Sequence, residues 1–202
     1  MDIKKEHGEK AVEIARRVVD ELVGGRGIPK FKDLPEVFKE KRGVFVTLEK
    51  HPSHELRGCI GYPEPISPLL DAIIDSAISA ATRDPRFHPV KENELDKLVV
   101  EVTILTPPKR VEVANPLDYP KKIRVGRDGL IIKRGFFSGL LLPQVPVEWG
   151  WDEEEFLCQT CRKAGLGMDS WLDKKTEVHC FQGEVFSEET PRGKVIKKEL
   201  GG

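Results

Sequence analysis

The sequence predicts an α+β fold, a mainly antiparallel sheet built from hairpins with helices packed against it. Helical and strand periodicities alternate irregularly along the chain, without the regular strand–helix–strand rhythm of a parallel sheet. Neighbouring strand segments are joined by short turn-rich stretches, as hairpins are. At 202 residues the chain reads as one domain spanning 1–202, with room for two lobes around a cleft and a substantial core.

The elements follow in order. Over 6–23, Ala11, Ile14, Ala15, Val18 and Leu22 recur at helical spacing, widened by Val19 and Val23, and Gly24-Gly25 ends that helix. Asp33 opens a short helix over 33–40. GVFVTLEK (43–50) reads as a strand and LRGCIG (56–61) as its hairpin partner across the turn-rich HPSHE. Ser67 caps and Pro68 begins a helix reaching Thr82, whose Ala72, Ser76, Ala77, Ala80 and Ala81 allow close packing. DPRFHP breaks it. A short helix spans Glu92–Leu98, and LVVEVTILT (98–106) is a strand stopped by Pro107-Pro108. Residues 109–122 read as irregular. Ile123–Val125 and Leu130–Lys133 form a second hairpin across Gly126-Arg127-Asp128-Gly129, with Asp-Gly as the turn signal, and Gly135–Gly139 gives a further reversal before LLLPQV (140–145). Asp152 and Glu155 resemble a capping box opening a helix to Ala164. Val178–Phe186 is the last strand, followed by a polar tail.

Composition excludes several function classes. Thirty-three basic against 34 acidic residues leave a formal charge of −1, which suggests no electrostatic footprint for nucleic acid; the basic stretches Lys121-Lys122 with Arg124 and Lys194–Lys198 read as solvated faces. Charged residues make up 33% of the chain, with only two Asn and three Gln; enriched Lys and Glu with few labile amides is the pattern of heat-stable proteins. No apolar run approaches a membrane span of about 18 residues. The opening Met1–Glu6 has no apolar signal segment, and the four cysteines do not form a disulfide scaffold. The location read from this is the cytoplasm. Phosphate-loop, nucleophile-elbow, HExxH and dinucleotide fingerprints are all absent from the sequence. Nothing names a cofactor.

The most chemical stretch is LRGCIG. On a regular strand Arg57, Cys59 and Gly61 share one face, and Leu56, Gly58 and Ile60 the other, with Leu56 and Ile60 toward the core. A guanidinium beside the thiol favours thiolate, the reactive form. Gly58 leaves space for a close backbone approach or marks a bulge. Against this stands the ordinary role of cysteine as a small buried apolar filler.

LRGCIG, together with GVFVTL (43–48), DPRF followed by HP (84–89), LLLPQV (140–145) and CRKAGL with the later Trp171, resembles the AMMECR family, over nearly the whole chain and in the family's order. The resemblance implies an intracellular α+β protein without a settled activity. It also implies Memo-like or radical-SAM proteins as partners, since related domains occur fused to them or encoded beside them, which hints at a modification pathway.

Two further groups carry chemistry. In the loop Arg83–Pro89, Arg83 or Arg86 can clamp a carboxylate or phosphate in a fork, and His88 could serve Cys59 as a base. Equally, Asp84 can staple the loop to an arginine, Phe87 plug the core and His88 lie at the surface. Only DPRF and the final proline belong to the family pattern. Cys158-x-x-Cys161 with His179-Cys180 offers soft ligands on paper, but the CxxC falls inside a helix and the other two face opposite sides of a strand, so no metal site is assigned. His51 and His54 flank the turn before LRGCIG. Gln144 either orients a ligand or ties down backbone.

Two functions fit these residues. One is a thiol-centred catalytic or ligand-binding cleft, with Cys59 and Arg57 at its centre, Gly58 and Gly61 shaping it, and Arg83, Asp84, Arg86 and Gln144 binding. The other is a non-enzymatic adaptor, anchored by Trp149, Trp151 and Trp171 if these are exposed. Nucleic-acid association is a weaker third.

Overall fold

The computed structural model describes residues 3–198. It is α+β, with helices α1 (Lys5–Val23), α2 (Leu69–Thr82), α3 (Gln144–Trp149) and α4 (Glu153–Lys163). The strands are β1 (Val44–Lys50), β2 (Leu56–Tyr62), β3 (Leu98–Leu105), β4 (Lys109–Arg110), β5 (Asp128–Arg134), β6 (Phe137–Leu141), β7 (Glu177–Glu188) and β8 (Val195–Lys198). They hydrogen-bond in the order β2-β1-β3-β7-β5-β6, and β4 and β8 also pair with β7. The pairs β1–β2, β1–β3, β5–β6, β5–β7, β4–β7 and β7–β8 are antiparallel.

The described chain clusters into two compact units. Unit 1 takes in the residues up to Leu105 and those from Glu184 on, and unit 2 is Thr106–Gly183. In unit 1, alternation along β1 turns Val44, Val46 and Leu48 inward, beside Val100, Val102 and Ile104 of β3. The apolar stripe of α1 (Ala11, Ile14, Ala15, Val18) and the small-residue face of α2 cover them. Burying a residue such as Leu48 or Ile14 contributes about 1.5–3 kcal/mol. Inside this core, Arg16 of α1 is buried and forks onto Glu188, at 2.9 Å from Nε, while its Nη2 donates to the Leu98 carbonyl at 2.5 Å. Glu188 also accepts the Val100 N–H at 3.0 Å.

In unit 2, Phe156, Leu157 and Cys161 of α4 pack over Leu130, Ile132 and Val178, with Trp171 and Tyr119 closing the cluster. Asp152 caps α4 by accepting the Glu155 N–H at 2.8 Å, as the D-x-x-E spacing predicts. Gly139 lies so close to the end of α4 that a Cβ there would stand 2.3 Å from the Ala164 nitrogen.

The second hairpin differs from the sequence expectation. Ile123–Val125 is not a strand, and β5 pairs with β6 across Gly135-Phe136. Asp128-Gly129 is no turn, because the Asp128 carboxylate is buried and accepts the Arg124 N–H at 2.9 Å, Arg127 Nε at 2.9 Å and the Gln182 amide at 2.9 Å. The short helix at 33–40 is a single 3-10 turn, Glu36–Lys39. Part of the tail read as merely polar forms β8 on β7.

Candidate functional site

Strand β2 ends the hydrogen-bonded order of strands, so one of its edges lacks a strand neighbour among the described residues. Cys59 sits opposite Thr47, and its backbone groups point away from β1. Its N–H donates to Asp84 Oδ2 at 2.9 Å and its carbonyl accepts from Arg86 Nη2 at 3.2 Å. Arg86 in turn forks onto Asp84 through Nε at 3.0 Å and Nη2 at 2.7 Å. The Asp84–Arg86 pair therefore acts as one residue of a missing strand, supplying an acceptor and a donor to the exposed edge. Arg86 and the backbone N–H groups of Cys59 and Arg86 hold the buried Asp84 carboxyl well below the usual carboxylate range.

Both glycines of the hallmark have packing reasons. A Cβ on Gly58 would stand 2.2 Å from the Ala80 carbonyl of α2, and one on Gly61 would stand 2.5 Å from the Phe45 ring. Glycine at these positions lets a helix and an aromatic ring lie directly on the strand.

The Cys59 side chain is half-buried, and Thr47 Oγ1 donates to its Sγ at 3.3 Å. Burial pushes the thiol pKa up; the Thr47 hydroxyl and the Arg86 charge oppose that, less strongly. Arg57 does not stand beside this thiol as regular alternation predicts. The pairing slips between Leu48 and Glu49, which lie opposite Gly58 and Leu56, so Arg57 is the extra residue of a bulge. Its Nε and Nη2 reach Glu94 at 2.8 and 3.1 Å, and its guanidinium lies 5.8 Å from the Phe87 ring centroid. Leu56, expected inward, is exposed for the same reason, whereas Ile60 packs on the core.

The other site residues are dispersed. Arg83 is exposed and 3.8 Å from Asp75. His88 is exposed, and His54 is exposed and 3.2 Å from Glu49. Gln144 is exposed at the start of α3 in unit 2. All four cysteines are free thiols. Burial raises Cys161 to about 11, and Cys158 Sγ accepts the Trp171 indole N–H at 3.4 Å. Among the described residues no group of three or more His, Cys, Asp or Glu is placed to hold a metal ion, and no helix is long and apolar enough to cross a membrane.

One surface was legible only in part. In unit 2 a groove of about 660 Å³ is lined by Leu141, Val145, Trp149, Trp151, Arg162 and Lys163, with Gln159. Trp149 is 70% exposed and stacks on Trp151 with ring centroids 6.0 Å apart. Phe136 and Phe137, at the β5–β6 turn, are also exposed, whereas Trp171 is buried. The sequence signal for this groove was the tryptophan pair itself. Helix α3, which carries Val145 and Trp149, was not read from the sequence.

An α+β chain whose glycine-flanked cysteine strand is clamped by a DPRF loop defines the class of protein. The AMMECR1 family model matches residues 12–186, and the chain belongs to that family. It is 57% identical over 202 residues to a protein of Thermococcus gammatolerans, covering 98% of each. It is 54% identical over 195 residues to protein MJ0810 of Methanocaldococcus jannaschii, covering 96% of each. The crystal structure of protein PH0010 from Pyrococcus horikoshii is similar to it at a TM-score of 0.79 and 56% identity, over 98% of this chain and 99% of that one. These thermophilic relatives agree with the heat-stable composition.

Proposed function

We propose that this protein is a non-enzymatic binding module that presents the aromatic groove of unit 2 to a protein partner. The observation that carries it is Trp149, 70% exposed and stacked on Trp151 within an apolar groove. Solvated aromatic anchors of this kind are what interfaces bury. Arg162 and Lys163 on the groove wall favour a segment that combines apolar and acidic residues. The Memo-like and radical-SAM proteins implied by the family resemblance are the first partners to try. Purified candidates are titrated against the wild-type chain and Trp149→Ala by calorimetry. Binding by wild type that weakens at least tenfold in the variant supports the module; equal binding, or none by wild type, sinks it.

The thiol-centred alternative requires Cys59 to be thiolate near neutral pH. Within unit 1 the cations that would activate it are engaged elsewhere: Arg57 with Glu94, Arg86 with Asp84 and the Cys59 carbonyl. Alkylation of native protein, with Cys59→Ser to subtract the other thiols, is expected to be slow at pH 7 and to rise only above the ordinary thiol range near 8.5. Fast labelling at neutral pH would restore the thiol as the centre of function.

A further inference from the structure

We infer that the partner of the aromatic groove docks as an added β-strand along the free edge of β6. The inference rests on the groove being a protein-binding surface, and it names what binds: an extended segment with a carboxylate and an apolar side chain on one face.

Strand β6 ends the hydrogen-bonded order opposite to β2, so one of its edges has no strand neighbour among the described residues. Arg134 and Phe137 flank the two-residue turn Gly135-Phe136, in which Gly135 has φ +59°. A turn of this kind makes its flanking residues a hydrogen-bonded pair. Phe137, Gly139 and Leu141 therefore spend their backbone groups on β5, and the N–H and C=O groups of Ser138 and Leu140 point outward. Among the described residues nothing hydrogen-bonds to these outward groups. The β2 edge shows the contrast, since Asp84 and Arg86 occupy the outward groups of Cys59. Along β6 the sequence FSGLL has no charge and no proline, and the pairing with β5 runs without a bulge. Charges, prolines and bulges are the usual means by which an edge refuses a further strand. An open edge without them is a template for strand addition.

The side chains beside the edge select the strand. Phe137, Gly139 and Leu141 share one face of β6. Gly139 lies against the backbone of Lys163 and Ala164 at the end of α4, and Leu141 lines the groove with Trp149 and Trp151. Edge and groove are thus continuous. An added strand sends alternate side chains to this same face. Arg162 and Lys163 of the groove wall are exposed and have no ion-pair partner among the described residues. A residue opposite Gly139 meets these cations and is favoured as aspartate or glutamate. The residue two positions away, opposite Leu141, meets Leu141 and the tryptophan pair and is favoured as apolar.

The probe is a phage-displayed library of random peptides panned on the full chain, with the enriched peptides then synthesised with capped ends. Affinity by calorimetry and amide hydrogen exchange by NMR are the readouts. Saturable binding that slows exchange of the Ser138 and Leu140 N–H groups at least tenfold supports strand addition. Affinity should also fall at least tenfold in Ser138→Pro, which removes an outward donor from an edge position, and stay unchanged in Ser138→Ala, which keeps it. Exchange is measured on the wild-type chain, so the outcome does not depend on how Ser138→Pro folds. Peptides that lose affinity in Trp149→Ala yet leave exchange at Ser138 and Leu140 unchanged overturn strand addition while the groove stands. A library that yields no binder, or binders indifferent to Trp149→Ala, overturns both. Protection of Ser138 and Leu140 that grows with protein concentration in the absence of peptide gives the edge to a second copy of the chain and overturns the inference.

Discussion

The strand LRGCIG and the groove around Trp149 are opposites. The strand carries the residues that look most reactive, yet each is engaged: Cys59 through its backbone by Asp84 and Arg86, Arg57 by Glu94, Gly58 by α2. The groove carries residues without reactive chemistry, and they face water. Chemical suggestiveness along a sequence and availability in the fold are different properties. Here the hallmark motif explains why unit 1 holds together, and a tryptophan outside that motif supplies the open surface.

This contrast can be broken at four points. The largest effect belongs to the buried pair beneath the strand's sheet. Glu188→Ala leaves Arg16 charged and buried without its carboxylate, and should cost about 3–5 kcal/mol by chemical denaturation. Gly58→Ala drives a methyl into the Ala80 carbonyl and is expected to cost about 1–3 kcal/mol; a variant of unchanged stability would show that α2 is free to shift and that the glycine serves something other than packing. Asp84→Asn weakens the edge clamp by about 1–2 kcal/mol, less than a fully buried pair because Arg86 is half exposed. The sign with pH follows from the depressed Asp84 carboxyl. The unfolded chain takes up this proton first, near its ordinary value of about 3.9, so the increment is present in full above about pH 4 and is lost as pH falls toward the folded value. Wild type should therefore lose stability on acidification more steeply than Asp84→Asn; parallel pH profiles would remove Asp84 from the clamp. The smallest effect on stability is Trp149→Ala, expected within about 0.5 kcal/mol as for a surface change. A larger loss would mean that the indole is structural and the groove is no open surface.

Much of this was legible in the sequence, for identifiable reasons. The α1 stripe, the small-residue face of α2 and the run at 98–106 have periodicities that packing obeys, so α1, α2 and β3 fell within a residue or two of expectation. The bulge at Arg57 was not legible. Local sequence fixes a strand's alternation only until a register slip, and the slip depends on how β1 and α2 meet β2. Asp128-Gly129 misled because Asp128 serves as a buried acceptor for Arg124, Arg127 and Gln182, a role set by distant residues. Helix α3 is six residues long with Pro146 inside, too short for a periodic signal. Asp84 was legible as a loop staple to an arginine, but its second task, completing the edge of β2, required knowing that β2 has an open edge.

The Arg16–Glu188 pair spans 172 residues, which has a consequence for biosynthesis. During translation α1 leaves the ribosome with a cation destined for the interior, and the carboxylate that accepts it follows only 172 residues later. Until then this charge opposes burial of the α1 stripe against the sheet. Closure of unit 1 therefore waits for the end of β7 and is a late, long-range event.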